Sequence, residues 1–191
     1  MKKKQDNRPK LRLIQGGNRC EALIGSVKIV ASTKNRPPFK VDAIAAEEDT
    51  YLVLSEDLEI HEPTDHPIRL LTEVLETRPE TPGTVLVKDK YPYKLLAIVH
   101  DLGQDPSWKE KWVVSALQGI FHETEKRKVR SLALPMLGTL HGSLDKKCFV
   151  AFLKKALHQA APRYLKCLWL IVPADFKREI IQLLENVKMR P

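Results

Sequence analysis

The hydrophobic and polar positions follow two periodicities, which predict helices and strands in alternation. From Trp108 to Lys126, apolar residues recur every three or four positions, as on the buried face of an amphipathic helix. The uninterrupted apolar runs that begin at Val129 and Leu165 are typical of strands covered on both faces. Further helices are predicted at 68–76, 145–158 and 175–187, and further strands at 11–15, 21–31 (as a hairpin), 41–46, 51–54, 84–88 and 94–100.

The order of these elements predicts the fold class. From Lys94 onward strand and helix alternate, and a strand–helix–strand connection within one parallel sheet is right-handed. We therefore expect a three-layer α/β/α fold with a mixed, mainly parallel sheet. In that fold the following side chains should be fully buried: Leu132, Leu134, Leu168 and Leu170.

The segment after the Val129 strand is the strongest candidate for a ligand site. Leu137 to Gly142 joins that strand to the next predicted helix, and a loop in this position offers backbone N–H groups and a helix dipole to an anion. A phosphate or diphosphate is the expected ligand, and the alternative is a connection in which glycine only supplies the turn. His141 is a candidate general acid or hydrogen-bond donor to a phosphate, against the alternative of an ordinary loop residue. The loops at 45–50, 101–107 and 136–142 each follow a strand, so we expect them to share one edge of the sheet.

Charge and length set the expected domain organisation. The chain has 191 residues, and we expect residues 11–191 to form a single domain behind a basic, flexible tail at residues 1–10. Lysine and arginine outnumber acidic residues 32 to 24, which gives a net charge of +8. The tail is either solvated or a tether for nucleic acid or an acidic partner. We expect the remaining surface to be mixed in sign, without a basic stripe interleaved with aromatic residues, whereas a dedicated nucleic-acid-binding protein should show more.

Cysteine usage and hydropathy predict a cytoplasmic protein. Cys20, Cys148 and Cys167 are widely separated, and we expect Cys148 and Cys167 to be core thiols. Their spacing matches no metal-binding motif, so no metal ion is predicted, and no cofactor is expected. The sequence shows neither a signal peptide nor an apolar run long enough to span a bilayer, so no membrane association is expected.

Three stretches of the chain resemble the macro domain family, whose members include ADP-ribose-binding and Appr-1''-p-processing proteins. They are Lys-Val-Asp-Ala-Ile-Ala-Ala-Glu-Glu-Asp at 40–49, the segment from Pro82-Gly83-Thr84 to His100, and Leu-Pro-Met-Leu-Gly-Thr-Leu-His-Gly at 134–142. The resemblance covers residues 27–187. It implies a ligand of the ADP-ribose type, held by a phosphate loop made of Met136, Leu137, Gly138, Thr139, Leu140, His141 and Gly142.

The chain departs from the family pattern at several ligand-binding positions. Asp49 matches an asparagine that approaches the distal ribose in catalytic members, and Ala46 matches the asparagine before it. The segment 51–57 replaces a glycine-rich loop. Ser32 takes part in the stretch that matches the family's Gly-Asp-Ile-Thr element, whose aspartate holds the adenine amino group, and it offers an uncharged acceptor there. Acidic residues around Glu47 would repel a diphosphate.

Three interpretations of the function follow. The first is binding of ADP-ribose, a related nucleotide or phosphate ligand, or an ADP-ribosylated protein, with little or no catalysis. The second is hydrolysis of an ADP-ribosyl or phosphoester bond, in which Asp49 acts as the base with help from His141. The third is a macro-like interaction module that does not bind nucleotides. Whether the protein is an enzyme stays open at this point.

Overall fold

A computed structural model describes residues 20–54 and 78–186. Within them, seven strands form one sheet: β1 (Glu21–Ile24), β2 (Val27–Ser32), β3 (Ala43–Asp49), β4 (Val85–Lys88), β5 (Tyr93–His100), β6 (Ser131–Pro135) and β7 (Cys167–Ile171). The helices are α1 (Glu110–Lys126), α2 (Lys146–Ala160) and α3 (Lys177–Asn186), with a 3-10 turn at Ala174–Phe176 before α3. None of these helices is both long enough and apolar enough to cross a bilayer.

The sheet is mixed and mainly parallel, as the element order predicts. Its strands lie in the order β1-β2-β7-β6-β3-β5-β4. The five inner strands are parallel to one another. The two outer strands, β1 and β4, are antiparallel because each joins its neighbour through a hairpin. The carboxyl ends of the inner strands therefore meet at one edge of the sheet, and their amino ends meet at the opposite edge.

Both faces of the inner strands are buried. In β5, Leu95, Ala97 and Val99 belong to the core cluster that also contains Leu117 and Phe121 of α1. Side chains alternate between faces along a strand, so Leu96 and Ile98 point away from that cluster, and they are buried too. Burial on both faces explains why these strands are continuous apolar runs, and it is what a three-layer arrangement requires.

The predicted core positions are confirmed. The leucines of β6 and β7 that were expected to be fully buried have no exposed surface: Leu132, Leu134, Leu168 and Leu170. The apolar stripe of α1 is also buried, as its spacing predicts. In α1 and α2, helical periodicity located the helix to within a few residues of the observed boundaries.

Some local expectations need correction, and others lie outside the described residues. The strand predicted at 51–54 is a turn, and β3 runs on to Asp49 instead of ending at Ala46. The acidic side chains of Glu48 and Asp49 accept backbone N–H groups of this turn, which is how the strand holds buried carboxylates. Cys148 is exposed in the first turn of α2, so it is not a core thiol. The tail at 1–10, the strand at 11–15 and the helix at 68–76 fall outside the described residues.

Candidate ligand-binding site

The carboxyl edge of the sheet brings the predicted site segments together. The strands β6, β3 and β5 are neighbours, and the Thr50 N–H donates to the His100 carbonyl oxygen (3.0 Å) at their ends. Ser32 ends β2 and is in register with Ile171, which in turn is in register with Pro135 at the end of β6. Ser32 therefore lies about 10 Å, or two strand spacings, from the start of the 136–142 loop. The loops predicted to share one edge do share it.

A buried carboxylate connects three of these segments. Glu47 Oε2 accepts the Gly138 N–H (3.0 Å), and Glu47 Oε1 contacts His100 Nε2. A carboxylate can only accept, so His100 Nε2 carries the proton and donates it. The other ring nitrogen, His100 Nδ1, lies 3.4 Å from Ser107 Oγ. We call Glu47, His100, Ser107 and Gly138 the Glu47 cluster.

Within the Glu47 cluster, the Glu47–His100 pair is almost closed to solvent. The side chain of His100 is 1% exposed and that of Glu47 is 7% exposed. Glu47 follows Ala43 and Ala45 on the face of β3 that belongs to the core cluster, while a bulge shifts the β3–β5 register just after Glu48. The Glu47 carboxylate thus accepts the Gly138 N–H, in the loop where a phosphate was expected to bind. Sequence analysis missed this partner because Glu47 and Gly138 are far apart along the chain, and it treated Glu47 only as a repelling charge.

The first half of the predicted phosphate loop is part of the core. The side chains of Met136 and Leu137 are buried, so only their backbone could meet a ligand. Gly138 has a φ of +74°, in the left-handed region, and its carbonyl oxygen accepts the Leu144 N–H (3.1 Å). Thr139 folds back, and both its N–H and its hydroxyl donate to the Met136 carbonyl oxygen.

The second half of the loop is open to solvent. The Leu140 side chain is 80% exposed, and His141 is exposed with its ring edge-on to that of His100 (6.2 Å between centroids). A Cβ atom on Gly142 would lie 2.6 Å from the Gly138 oxygen and 2.7 Å from Trp108 Cδ1, so this position needs glycine. We call residues 140–142 the loop tip.

The N-terminus of α2 is capped by the chain itself. The helix begins at Lys146, and the Asp145 carboxylate accepts the N–H groups of Lys147 (2.8 Å) and Cys148 (3.3 Å). An aspartate in this position satisfies the donors that a helix start would otherwise offer to an anion. Gly142 and Lys146 are separated by three residues, so the loop tip does not carry the helix N-terminus as the sequence pattern suggested.

Asp49 is fully buried and committed to the turn after β3. Its Oδ1 accepts the Tyr51 N–H (2.5 Å) and its Oδ2 accepts the Val53 N–H (3.1 Å). Next to it, the Thr50 hydroxyl is buried and has no hydrogen-bond partner in the described part of the chain. Both oxygens of the Asp49 carboxylate therefore accept backbone N–H groups, and neither is exposed at the carboxyl edge of the sheet.

Ser32 is held in place but keeps some capacity to accept. Its hydroxyl donates to the Arg36 carbonyl oxygen (2.6 Å), and its own carbonyl oxygen accepts Trp169 Nε1–H (3.3 Å). A serine oxygen that donates its proton still has lone pairs. An amino group could thus be received at this end of the edge.

No family model matches the chain, and no curated protein matches it either. Solved structures do. The macrodomain of Oceanobacillus iheyensis with ADP is 12% identical, with a TM-score of 0.62 over 86% of this chain and 93% of that one. The macrodomain of Mycobacterium tuberculosis DarG is 15% identical, with a TM-score of 0.54 over 76% and 98% of the two chains. A Trypanosoma brucei macrodomain in complex with ADP is 15% identical, with a TM-score of 0.56 over 83% and 69%. The chain has the macrodomain fold.

The resemblance predicted from three sequence stretches is therefore confirmed at the level of the fold. Within this macrodomain fold, the described part of the carboxyl edge presents an exposed loop tip, one exposed imidazole at His141 and a hydroxyl at Ser32. Its acidic groups at Glu47 and Asp49 are turned inward and bonded. Such a surface can receive an anion and a polar group.

Proposed function

We propose that this macrodomain-fold protein binds ADP-ribose, or a related phosphate-bearing nucleotide, at the carboxyl edge of its sheet and turns it over little or not at all. The observation that supports this most is the fold it shares with macrodomains solved with ADP and, in Oceanobacillus iheyensis, with ADPR. An ADP-ribosylated protein would present the same ligand chemistry, so it is included among the expected partners.

We infer the position of the ligand from the N–H groups of the loop that already donate hydrogen bonds within the protein. The Gly138 N–H donates to Glu47 and the Thr139 N–H donates to Met136, so a diphosphate would bind at the loop tip, where Leu140 is exposed. Ser32, about 10 Å away across two strands, would accept from an adenine amino group. Thr139, Leu137 and Met136 would then contribute shape and backbone support rather than side-chain contacts.

The proposal of weak or absent catalysis rests on Asp49. A general base must reach the proton it removes, directly or through one water. Asp49 has no exposed surface, and its two oxygens already accept Tyr51 and Val53. His141 is the remaining titratable side chain at the loop tip. Robust hydrolysis of ADP-ribosylated protein that disappears in His141→Asn would replace this proposal with the hydrolase.

Calorimetric titration with ADP-ribose tests the proposed site directly. Leu140→Asp places a negative charge at the exposed loop tip, and Leu140→Asn is its matched control, with the same shape and no charge. Two charges about 6 Å apart in water repel by roughly 0.7 kcal/mol, and a diphosphate carries at least two. We therefore expect Leu140→Asp to bind about three- to tenfold more weakly than Leu140→Asn. Equal affinities in the two variants would place the ligand elsewhere.

A second candidate function is an interaction module that does not bind nucleotides. The contact between Glu47 and the Gly138 N–H favours it, because the protein supplies its own anion to the loop. Absence of ADP-ribose binding both in the unchanged protein and in Glu47→Gln would support this second candidate. A cytoplasmic location and a nucleic-acid tether at residues 1–10 stay predictions from the sequence.

A further inference from the structure

We propose that the amino edge of the sheet is a binding surface for single-stranded nucleic acid, independent of the proposed nucleotide site. Basic residues meet at this edge from segments that are distant along the chain. The Lys28 N–H donates to the Lys166 carbonyl oxygen (2.8 Å), and the Lys166 N–H donates to the Arg130 carbonyl oxygen (2.8 Å). These three residues stand at or just before the starts of β2, β7 and β6, so they are neighbours in space.

The same line continues across β3 to the end of β4. Arg130 N–H donates to the Asp42 carboxylate (2.9 Å), and the Asp42 carbonyl oxygen accepts the Tyr93 N–H at the start of β5 (2.9 Å). Lys88 ends β4 beside the start of β5. We define the basic edge as six exposed residues: Lys28, Lys40, Lys88, Lys90, Arg130 and Lys166. It crosses five strand spacings, or roughly 24 Å.

The acidic groups near the basic edge are already engaged. Asp42 accepts the backbone N–H groups of Arg130 and Ser131, and Glu125 pairs with Arg163. Among residues 20–54 and 78–186, Lys40, Lys88, Lys90 and Arg130 form no ion pair with any acid. Lys28 pairs with Glu21, and Asp89, which lies between Lys88 and Lys90, pairs with Arg127. A row of positive charge of this length fits a regularly charged backbone, because each phosphate neutralised releases condensed counterions.

Aromatic rings distinguish this surface from a general anion-binding surface. The Tyr91 side chain is 67% exposed in the β4–β5 turn, and its hydroxyl donates to Asp42 Oδ1 (3.0 Å). The Tyr91 ring packs edge-on to Tyr93 (6.1 Å between centroids), and the Arg127 guanidinium lies over Tyr93 (5.8 Å). A fixed, exposed ring among cations is a stacking platform for an unpaired base, which an acidic peptide would not use.

The sequence shows only part of this surface, because its residues come from several segments. The stretch from Lys88 to Lys94 interleaves basic and aromatic residues, but only the strand pairing brings Lys28, Arg130 and Lys166 into line with it. The basic edge and the loop tip lie at opposite ends of the strands, about 20 Å apart for a strand as long as β3. Both surfaces can therefore be occupied at once.

Fluorescence anisotropy with a labelled 20-nucleotide poly(U) and the full chain tests the proposal between 50 and 200 mM salt. Lys90→Gln/Arg130→Gln removes two charges from the basic edge. Its matched control, Lys111→Gln/Lys155→Gln, removes two exposed charges from α1 and α2. We expect the edge variant to bind at least fivefold more weakly, and its log–log salt slope to fall by about 1.4, because each lost phosphate contact contributes about 0.7 for a single strand. The control should change affinity less than twofold.

A second pair of variants tests stacking apart from charge. Tyr91→Leu should weaken poly(U) binding about fivefold or more, while Tyr91→Phe keeps the ring and should bind like the unchanged protein. Three outcomes would overturn the proposal: no binding of poly(U), equal losses in the two charge variants, or displacement of poly(U) by poly-glutamate at matched charge concentration. Equal losses in the two charge variants would show that binding depends on the basic tail or on net charge. Displacement by poly-glutamate would show that the surface binds polyanions in general.

Discussion

Replacing Glu47 with alanine should lower the free energy of unfolding by about 3–5 kcal/mol. The change removes the acceptor of two buried donors, the Gly138 N–H and His100 Nε2–H. Each buried donor left without a partner costs about 1–3 kcal/mol, so losing the acceptor of both donors accounts for the expected range. Solvent offers no replacement acceptor to His100, because its side chain is 1% exposed.

Glu47→Gln should cost much less, about 1 kcal/mol, because the shape of the side chain is kept. Its amide oxygen can accept the Gly138 N–H, which turns its NH2 group toward His100 Nε2. The imidazole can accept there if its proton moves to Nδ1, which lies 3.4 Å from Ser107 Oγ. Every donor then has a partner, and only the gain from a charged acceptor is lost.

Urea denaturation followed by far-ultraviolet circular dichroism measures both variants at one pH. Glu185→Gln is the control, since it removes an exposed carboxylate from α3, and it should change stability by less than about 0.5 kcal/mol. The argument is refuted if Glu47→Ala lies within about 1 kcal/mol of the unchanged protein. It is also refuted if Glu47→Gln is as unstable as Glu47→Ala, because shape and hydrogen bonding would then not explain the difference.

The remaining predictions concern the turn, the pH dependence and the loop. Asp49→Ala should cost about 2 kcal/mol in urea denaturation, because two turn amides lose their acceptor. Burial acts to raise the pKa of Asp42, but hydrogen bonds from the Arg130 amide and the Tyr91 hydroxyl outweigh it, so the pKa lies below the ordinary 3.8. The ionised Asp42 therefore adds to the free energy of unfolding above pH 3.8, and this contribution is lost as the pH falls through the lowered pKa. Asp42→Asn should flatten this part of a plot of unfolding free energy against pH. An unchanged plot would contradict the assignment to Asp42. Gly142→Ala should lower the melting temperature, because the close approach of its Cβ to neighbouring atoms costs about 1–3 kcal/mol. Gly103→Ala is the control and should not lower it, since its Cβ would meet only Asp101 Oδ1 at 3.3 Å. Equal shifts in the two variants would contradict the close approach at Gly142.

Gly138, the glycine that the sequence pattern offers for a test of the loop, is a poor position for a substitution. Gly138→Asp would place a charge in the loop, but φ of +74° and a Cβ only 3.2 Å from Val113 Cγ2 make any side chain strained there. A loss of ligand affinity in that variant would mix charge with folding defects. Leu140→Asp delivers the charge at an exposed position and avoids both problems.

The fold could be predicted from sequence because each helix and inner strand has its own hydrophobic pattern, which persists along the whole element. The stripe of α1 and the apolar runs of β6 and β7 each carry their own periodicity, and right-handed crossovers then fix the parallel pairing. The strand predicted at 51–54 fails for a local reason. Its apolar residues match a strand pattern, but the Asp49 carboxylate accepts two of its amides and holds a turn.

The electrostatics of the site could not be predicted in the same way. Whether Glu47 repels a ligand, binds one or accepts an internal N–H depends on a contact with Gly138 that forms only after β3 and β6 pair. The basic edge depends likewise on strand order, since Lys28, Arg130 and Lys166 become neighbours only through the sheet. Periodicity reports which side of an element is buried, but it does not report which distant residue lies opposite.

The Glu47–His100 contact also constrains how this sequence can change over evolutionary time. Apart from the isosteric Glu47→Gln, a mutation of either residue alone leaves the other buried without its partner, so such single steps are selected against even when the double replacement would be well tolerated. The two positions should therefore vary together among descendants of this protein. Freeing the Gly138 N–H for an outside anion would require passing through a destabilised single mutant, or first acquiring stabilising mutations elsewhere that make this single mutant viable.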